Sequence, residues 1–335
     1  MTENRFWRLD RHPEGSDFEA ALSLQTETLP PLGEGEVRVK VGYLSMDAGT
    51  RMWMSPRTDG YQPPLPLGSK MAGLVLGRVS ETRDAAFPVG ALVRGFGQWA
   101  DHATMVPALA GLEIVDDTVA DIRHHFGALG MNAWTAYVGV KEVAAVKPGE
   151  WLVVSAAAGA TGSMACQVGR NLGARVIGIA GGPEKCRYLT EQLGVDIAID
   201  YKNDDVAARL AAVEGGVHAY FDNVGGPLLD AVLPNMAHYG CVAVCGMVAA
   251  YDNDAPLPGP ARFDQVLMRR LRIEGFFIPD FLHRGAEFLP TLREWVDAGT
   301  LTVNLDETQG LENTLAAYRR MLSGKAIGKV IVKVA

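Results

Sequence analysis

Trp151-Leu152-Val153-Val154-Ser155-Ala156-Ala157-Ala158-Gly159-Ala160-Thr161-Gly162-Ser163 decides the architecture of this chain. Residues 151–156 form a nearly unbroken apolar run, which predicts a parallel strand covered on both faces. Small residues then follow in the pattern A-x-x-G-x-x-G, and a helix is predicted over 161–172. Glycines at that spacing let the backbone approach a pyrophosphate, while the amides that open the helix point at the anion. The same small residues also suit a tight turn needed only for packing helix on strand. Ala156 stands where a first glycine is usual, a position read here as shaping the turn.

Outward from this turn, apolar strands and helices alternate. Strands are predicted over 174–180, 197–199, 217–221, 241–245 and 271–277, and helices over 183–193, 204–213, 228–237 and 263–270. Six such strands predict an α/β, doubly wound parallel sheet of order 3-2-1-4-5-6. Before residue 125 the texture differs. Short alternating stretches at 36–41, 74–79, 91–96 and 103–106, separated by Gly and Pro, predict a β-rich domain, with an exposed loop over 56–68. A closing strand over 329–334 returns to that texture. The expected organisation is therefore a β-rich domain over 1–125 and 301–335, with a Rossmann domain over 126–300 inserted into it.

Cofactor preference is read from the second parallel strand. It ends Ile179-Ala180-Gly181-Gly182 with no acid to hold ribose hydroxyls. A missing carboxylate removes repulsion against a 2′-phosphate and Lys185 adds attraction, which favours NADPH (NADP+ when oxidised) over NADH. Lys185 also suits a solvated position in the first turn of its helix, beside Glu184.

Bulk properties narrow the function further. A net charge of -8 gives no support for nucleic-acid or anionic-membrane binding. Neither a secretory signal nor an apolar run of membrane-spanning length is visible. The cysteines, Cys166, Cys186, Cys241 and Cys245, form no C-x-x-C pair and read as free thiols suited to a reducing, cytoplasmic compartment. No cysteine precedes Cys166, and the histidines show no metal-binding spacing, so no metal site is expected. Adjacent His124 and His125 on a helix would point about a hundred degrees apart.

Beyond the turn, a set of motifs runs through nearly the whole chain: Leu44-Ser45-Met46-Asp47 with Arg51, and Gly127-Ala128-Leu129-Gly130-Met131 with Thr135-Ala136-Tyr137. Further on come Asp200-Tyr201-Lys202, Phe221-Asp222-Asn223-Val224-Gly225-Gly226, Cys245-Gly246, Arg272-Ile273-Glu274-Gly275-Phe276 and Ile327-Gly328-Lys329. By these the chain resembles the zinc-independent medium-chain dehydrogenases/reductases, in the branch of prostaglandin reductases, alkenal double-bond reductases and curcumin reductases. The resemblance implies a GroES-like β-rich catalytic domain beside the Rossmann domain, and a homodimer paired edge to edge.

It also implies residue roles. Gly159, Ala160, Thr161, Gly162 and Ser163 would hold the pyrophosphate, and Lys185 and Tyr201 the 2′-phosphate. Asn223, Cys245, Gly246 and Met247 would line the cofactor cleft. Backbone groups of Phe276, Phe277 and Ile278 would bind the nicotinamide amide, while Arg51, Met131 and Thr135 would stand on the substrate side. Tyr251 matches the active-site tyrosine, whose hydroxyl, with an ordinary pKa of about 10, stays a donor at neutral pH. Bland roles stay open beside these: a cap or turn for Asp222 and Asn223, a packed aromatic for Tyr201, a covering loop for Tyr251, core positions for Met131 and Thr135.

Departures from the branch are Ala48-Gly49-Thr50 in place of Pro-Tyr-Met, Gly182 for Ser, Ala326 for Asn, and Asp252 for Asn. The expected reaction is NADPH-dependent reduction of the C=C bond of a small α,β-unsaturated aldehyde or ketone. A quinone oxidoreductase and a non-catalytic NADPH-binding protein are the alternatives.

Overall fold

In the computed structural model, which describes residues 2–58, 63–251 and 258–334, the chain divides into two compact units, 1–125 with 305–335, and 126–304. The first unit is β-rich. Its opening strands, β1 (Glu3–Leu9) and β2 (Leu22–Thr28), pair antiparallel. Then come β3 (Val37–Ser45), β4 (Ala72–Thr82), β5 (Leu92–Gln98), β6 (His102–Met105) and β7 (Glu113–Ile114), with two one-turn helices, α1 (Thr50–Trp53) and α2 (Pro107–Ala110).

The inserted unit begins with α3 (Met131–Tyr137) and contains six strands: β8 (Trp151–Val154), β9 (Arg175–Ala180), β10 (Ile197–Asp200), β11 (Val217–Asp222), β12 (Met236–Val244) and β13 (Arg272–Gly275). Its remaining helices are α4 (Ala160–Asn171), α5 (Pro183–Arg187), α6 (Val206–Ala211), α7 (Gly226–Val232), α8 (Asp264–Arg269) and α9 (Gly285–Asp297). All neighbouring strands pair parallel in the order β10-β9-β8-β11-β12-β13, which is the predicted 3-2-1-4-5-6 winding.

The chain then returns to the first unit through β14 (Leu305–Gln309), α10 (Thr314–Leu322) and β15 (Lys329–Lys333). There β15 joins antiparallel to β3, with Ile331 opposite Ser45, completing a sheet of order β14-β15-β3-β4-β5-β7 to which β6 adds against β3. The fully buried Lys329 donates from Nζ to the Met46 carbonyl at 3.0 Å and pairs with Asp47, whose other oxygen accepts from Ser45. A buried ammonium is tolerable only with such partners. Behind the sheet, Trp99, Phe18 and the ring of Tyr318 stack edge-on at 5.1 and 5.5 Å.

The inserted sheet forms where it does because β8 is buried at every residue and α4 lies directly on it. A Cβ on Gly169 would stand 2.5 Å from Leu152 Cδ2, so glycine permits that close approach. Tyr220, Ile177, Ile179 and Val242 fill one core cluster around the strands.

Several local readings change. The helix predicted over 228–237 stops at Val232, because Pro234 cannot continue it; a short 3-10 turn (Leu233–Asn235) follows and β12 begins already at Met236. Cys245 lies just beyond β12, half-buried, while Cys241 lies on it and is buried, so the two do not share a strand. His124 and His125 sit on a 3-10 turn, and His125 Nε2 bonds the Asp116 carbonyl at 2.7 Å. The terminal strands β1 and β2 and the helices α9 and α10 were not anticipated. Residues 59–62, within the loop predicted over 56–68, and Asp252 to Asp254 lie outside the described residues.

Candidate dinucleotide-binding site

In a parallel sheet every strand delivers its C-terminal end to the same edge. The loops after β8, β9, β10, β11, β12 and β13 therefore gather there, and the order reverses between β8 and β11, the place where open α/β sheets bind ligands. Residues 155–163 leave β8 at that point.

Gly159 caps α4 in an extended conformation with no side-chain cap, and Ser163 N donates to Gly159 O at 2.9 Å. Helix geometry then leaves the amides of Ala160, Thr161 and Gly162 without an intrahelical acceptor, aimed along the favourable end of the helix dipole. Gly162 is obligatory: a Cβ there would stand 2.3 Å from the Ala156 carbonyl oxygen. The turn fits a pyrophosphate because its residues are small and the amides that open α4 have no intrahelical acceptor. Asn132 Nδ2 steadies it from α3, donating to Thr161 Oγ1 at 2.9 Å, a contact the sequence reading missed.

Ala156 adopts φ 47°, the left-handed region that costs a residue with a Cβ about 1 kcal/mol. The position therefore imposes a backbone constraint and does more than shape the turn. Ala156→Gly is expected to relieve the strain and raise the melting temperature by about 2 °C or less, since glycine also loosens the unfolded chain. Differential scanning calorimetry measures the shift, and a fall of several degrees would contradict this account.

At the end of β9, Gly182 has φ 99° and its amide donates to Asp200 Oδ1 at 2.7 Å. The same oxygen accepts the Lys202 amide at 3.1 Å, and Asp200 Oδ2 accepts from Asn203 at 2.7 Å. The Gly182 amide, followed by the other partners, holds the carboxyl below its ordinary range. Asp200 is thus committed to the Gly182 and Lys202 amides and the Asn203 side chain, and sits at the tip of β10, while Glu184 follows Gly182 in the first turn of α5. Tyr201 is 53% exposed and its ring lies over Gly181, with the Lys202 stem beside it. Lys185 is half-buried in the first turns of α5.

A polar knot ties β8 to β11. Asn223 donates its amide to Ser155 Oγ (2.8 Å) and its side chain to the Ser155 carbonyl (2.7 Å). Asp222 Oδ1 accepts from Ser155 Oγ (3.1 Å), Tyr220 OH (2.7 Å) and the amides of Val224 and Gly225 (both 2.9 Å). Burial, with the Asp222 charge behind it, pushes the Tyr220 phenol far up and the Cys245 thiol to about 12, so neither ionises near neutrality. Ser155 was missed by the sequence reading; its signal was a lone hydroxyl at the exit of an apolar strand.

After β12, the Cys245 and Gly246 amides donate to the Asp222 carbonyl, and Met247 is exposed. Tyr251 folds back so that its oxygen accepts the Met247 amide at 3.5 Å, and that oxygen would lie 3.3 Å from a Cβ on Gly246. After β13, Phe276 is bonded to the Val244 carbonyl, Phe277 is extended and Ile278 is buried. Met131 and Thr135 sit half-buried on α3, where the Thr135 hydroxyl bonds the Met131 carbonyl at 2.6 Å. Arg51, in the first unit, is buried with Nη2 on the Pro13 carbonyl at 3.2 Å. The structure thus brings the turn, Lys185, Tyr201, Asn223, Cys245 to Met247, Tyr251 and Phe276 to Ile278 to the loops at one sheet edge.

Residues 5–115 match the family model of an oxidoreductase N-terminal domain, and residues 160–295 match that of a zinc-binding dehydrogenase. Among the described residues no group of three or more His, Cys, Asp or Glu side chains is placed to hold a metal. The chain is 37% identical to an NADPH-dependent curcumin reductase of Escherichia coli, over 99% of this chain and 97% of that one. It is 36% identical to an NADP(+)-dependent 2-alkenal reductase of Nicotiana tabacum, over 96% and 94%. CurA of Vibrio vulnificus, solved in complex with NADPH, superposes with a TM-score of 0.91 at 34% identity, covering 99% of both chains.

Proposed function

Because the chain belongs to the medium-chain dehydrogenase/reductase family, in the branch of the curcumin and alkenal reductases, we propose that it reduces the C=C bond of α,β-unsaturated aldehydes and ketones with NADPH. The observation that carries this reading is the small-residue turn from Gly159 to Ser163 at the switch point, whose amides open α4 without a side-chain cap, beside a β9 tip where Asp200 is already bonded to the Gly182 amide.

When bound, NADPH supplies the hydride that adds to the β-carbon. In this reading the amides of Ala160 to Gly162 and the Ser163 region hold the pyrophosphate. Lys185 and Tyr201 hold the 2′-phosphate, and Asn223 with Cys245, Gly246 and Met247 lines the cofactor cleft. Backbone groups of Phe276 to Ile278 bind the carboxamide. Tyr251 donates its O–H to the substrate carbonyl oxygen, where negative charge develops as the double bond is lost. The α-carbon then takes a proton from Tyr251 or from water, so one hydride and one proton are added in total. No step draws on a metal.

The test is cofactor oxidation by the purified protein, with NADPH and NADH in parallel, over enals, enones and benzoquinones. NADPH-dependent turnover of enals and enones is expected. Preference for quinones would replace the substrate class, and cofactor binding without turnover across the panel would make the protein a binder. Lys185→Ala is expected to weaken NADPH about tenfold, the share of one charge-assisted contact, and to leave NADH unchanged. Isothermal titration at two salt concentrations reads both; equal weakening of the two cofactors would remove Lys185 from the 2′-phosphate.

Assembly as a homodimer and residence in the cytoplasm belong to the same reading. The edge strand β13 exposes Arg272, Glu274 and Gly275. Tyr239 on β12 and Phe263, Leu267 and Met268 at and on α8, which packs on β12, are exposed apolar side chains suited to burial between two copies. The thiols are free, as a reducing compartment keeps them. Light scattering that returns the mass of one chain would overturn the dimer.

A further inference from the structure

The helix that begins as α3 continues in a rarer form, a π-helical turn over Val138–Val143, where Ala144 N donates to Gly139 O, five residues back. Such turns re-aim the residues that follow and recur at functional places. Three residues of this one turn, Gly139, Glu142 and Val143, hold the chain that runs from Arg272 through Arg284.

Gly139 lies against two aromatic rings. A Cβ there would come within 2.4 Å of Phe221 and 2.6 Å of Phe276, whose rings meet edge-on at 6.1 Å. The Val143 carbonyl accepts from the Arg272 guanidinium and from Cys241 Sγ, and Arg272 Nε also reaches Cys241 Sγ at 3.3 Å. The Glu142 carboxylate takes both terminal nitrogens of Arg284, at 2.8 and 2.9 Å. Arg284 stacks on Phe288 at 5.2 Å, and its guanidinium is held protonated by Glu142 first and Glu287 second.

Arg272 precedes Phe276 and Arg284 follows Ile278. The segment between them is therefore pinned at both ends to neighbouring residues of a single turn, with Phe276 resting on that turn in the middle. We propose that Glu142 and Arg284 are positioning residues: through this π-helical turn they set where the Phe276–Phe277–Ile278 backbone lies, and so the placement of the nicotinamide. The inference rests on the reading of that backbone as the carboxamide site. Neither residue touches the reacting atoms. A forked, two-point ion pair fixes direction as well as distance, which is what alignment for hydride transfer needs.

The experiment compares two ligands that differ only at the end in question: NADP+, and 2′-phospho-ADP-ribose, which lacks nicotinamide. Dissociation constants for both, together with kcat, are measured for the wild-type protein, Glu142→Gln and Glu287→Gln. Glu142→Gln keeps shape and removes the charge, while Glu287 binds Arg284 only from its own helix, α9. In Glu142→Gln the ratio of the NADP+ constant to the 2′-phospho-ADP-ribose constant should rise about fivefold, or kcat fall by as much, with the fragment itself unaffected. Arg284→Lys, which keeps charge and loses the fork, should fall between. Glu287→Gln should leave ratio and kcat within twofold.

Equal weakening of both ligands in Glu142→Gln would mean a general structural role and overturn the proposal, as would an unchanged ratio with unchanged kcat. A wild-type protein that binds neither ligand would overturn the cofactor reading itself, and the positioning role with it.

Discussion

Gly162→Val is expected to weaken NADPH binding by at least about a hundredfold, roughly 3 kcal/mol. Two causes act together. The first is space: a side chain at 162 meets the Ala156 carbonyl oxygen at 2.3 Å and the Ala157 Cα at 2.9 Å. Both are backbone atoms of the turn, so the turn or the helix must move, and overpacking of this kind costs about 1–3 kcal/mol of stability. The second is alignment, because the three amides that open α4 share one origin, and any shift of that origin misdirects all of them. Gly169→Ala separates the causes. It lies on the same helix and the same face, but its Cβ would meet the Leu152 side chain, 2.5 Å away, far from the turn. That variant should lose stability and keep its affinity. Fluorescence titration with NADPH, paired with thermal melts, reads both quantities. If Gly162→Val binds NADPH as the parent protein does, the pyrophosphate is not held at this turn.

That pair of glycines also explains what the sequence could and could not convey. The sheet was legible because β8, and β9 after Arg175, are buried at every residue, and burial on both faces leaves an apolar run; β11 carries the same signal interrupted at His218. The turn was legible because its constraint is local: glycine, alanine and threonine within eight residues. Contacts that join distant segments leave no such trace. Ser155, Asp222 and Asn223 act as one hydrogen-bonded unit only because β8 and β11 become neighbours, and Asn132 reaches Thr161 only because α3 lies on α4.

The π-helical turn is the clearest case of an illegible feature. Nothing in Val138 to Val143 marks a π-helical turn, and the partners that hold it, Phe276 and Arg272, lie more than 120 residues downstream. Ala156 errs in the other direction. Its composition suggested a harmless replacement, whereas its φ of 47° shows a position that still asks for glycine. The α7 boundary moved for a reason present in the sequence but underweighted, Pro234, which ends the helix and frees Met236 to start β12.

Tyr251→Phe should lower kcat by roughly a hundredfold or more while leaving NADPH affinity within twofold, the cost of losing one donor to a developing oxyanion. The ring is retained, while the phenol oxygen, the Tyr251 atom that lies 3.3 Å from a Cβ built on Gly246, is removed. Its oxygen also accepts the Met247 amide at 3.5 Å. An N–H donated to a phenol oxygen polarises the O–H beyond it, which strengthens the donor toward a substrate carbonyl. The variant forfeits that acceptor too, and the Met247 backbone loses a restraint, so a binding measurement must accompany the kinetics. If affinity holds and turnover falls, the hydroxyl acts on the transition state. If both fall together, Tyr251 merely supports the loop after β12. Full activity of Tyr251→Phe with an enone would leave the enolate oxygen without this donor and would move proton delivery to water alone.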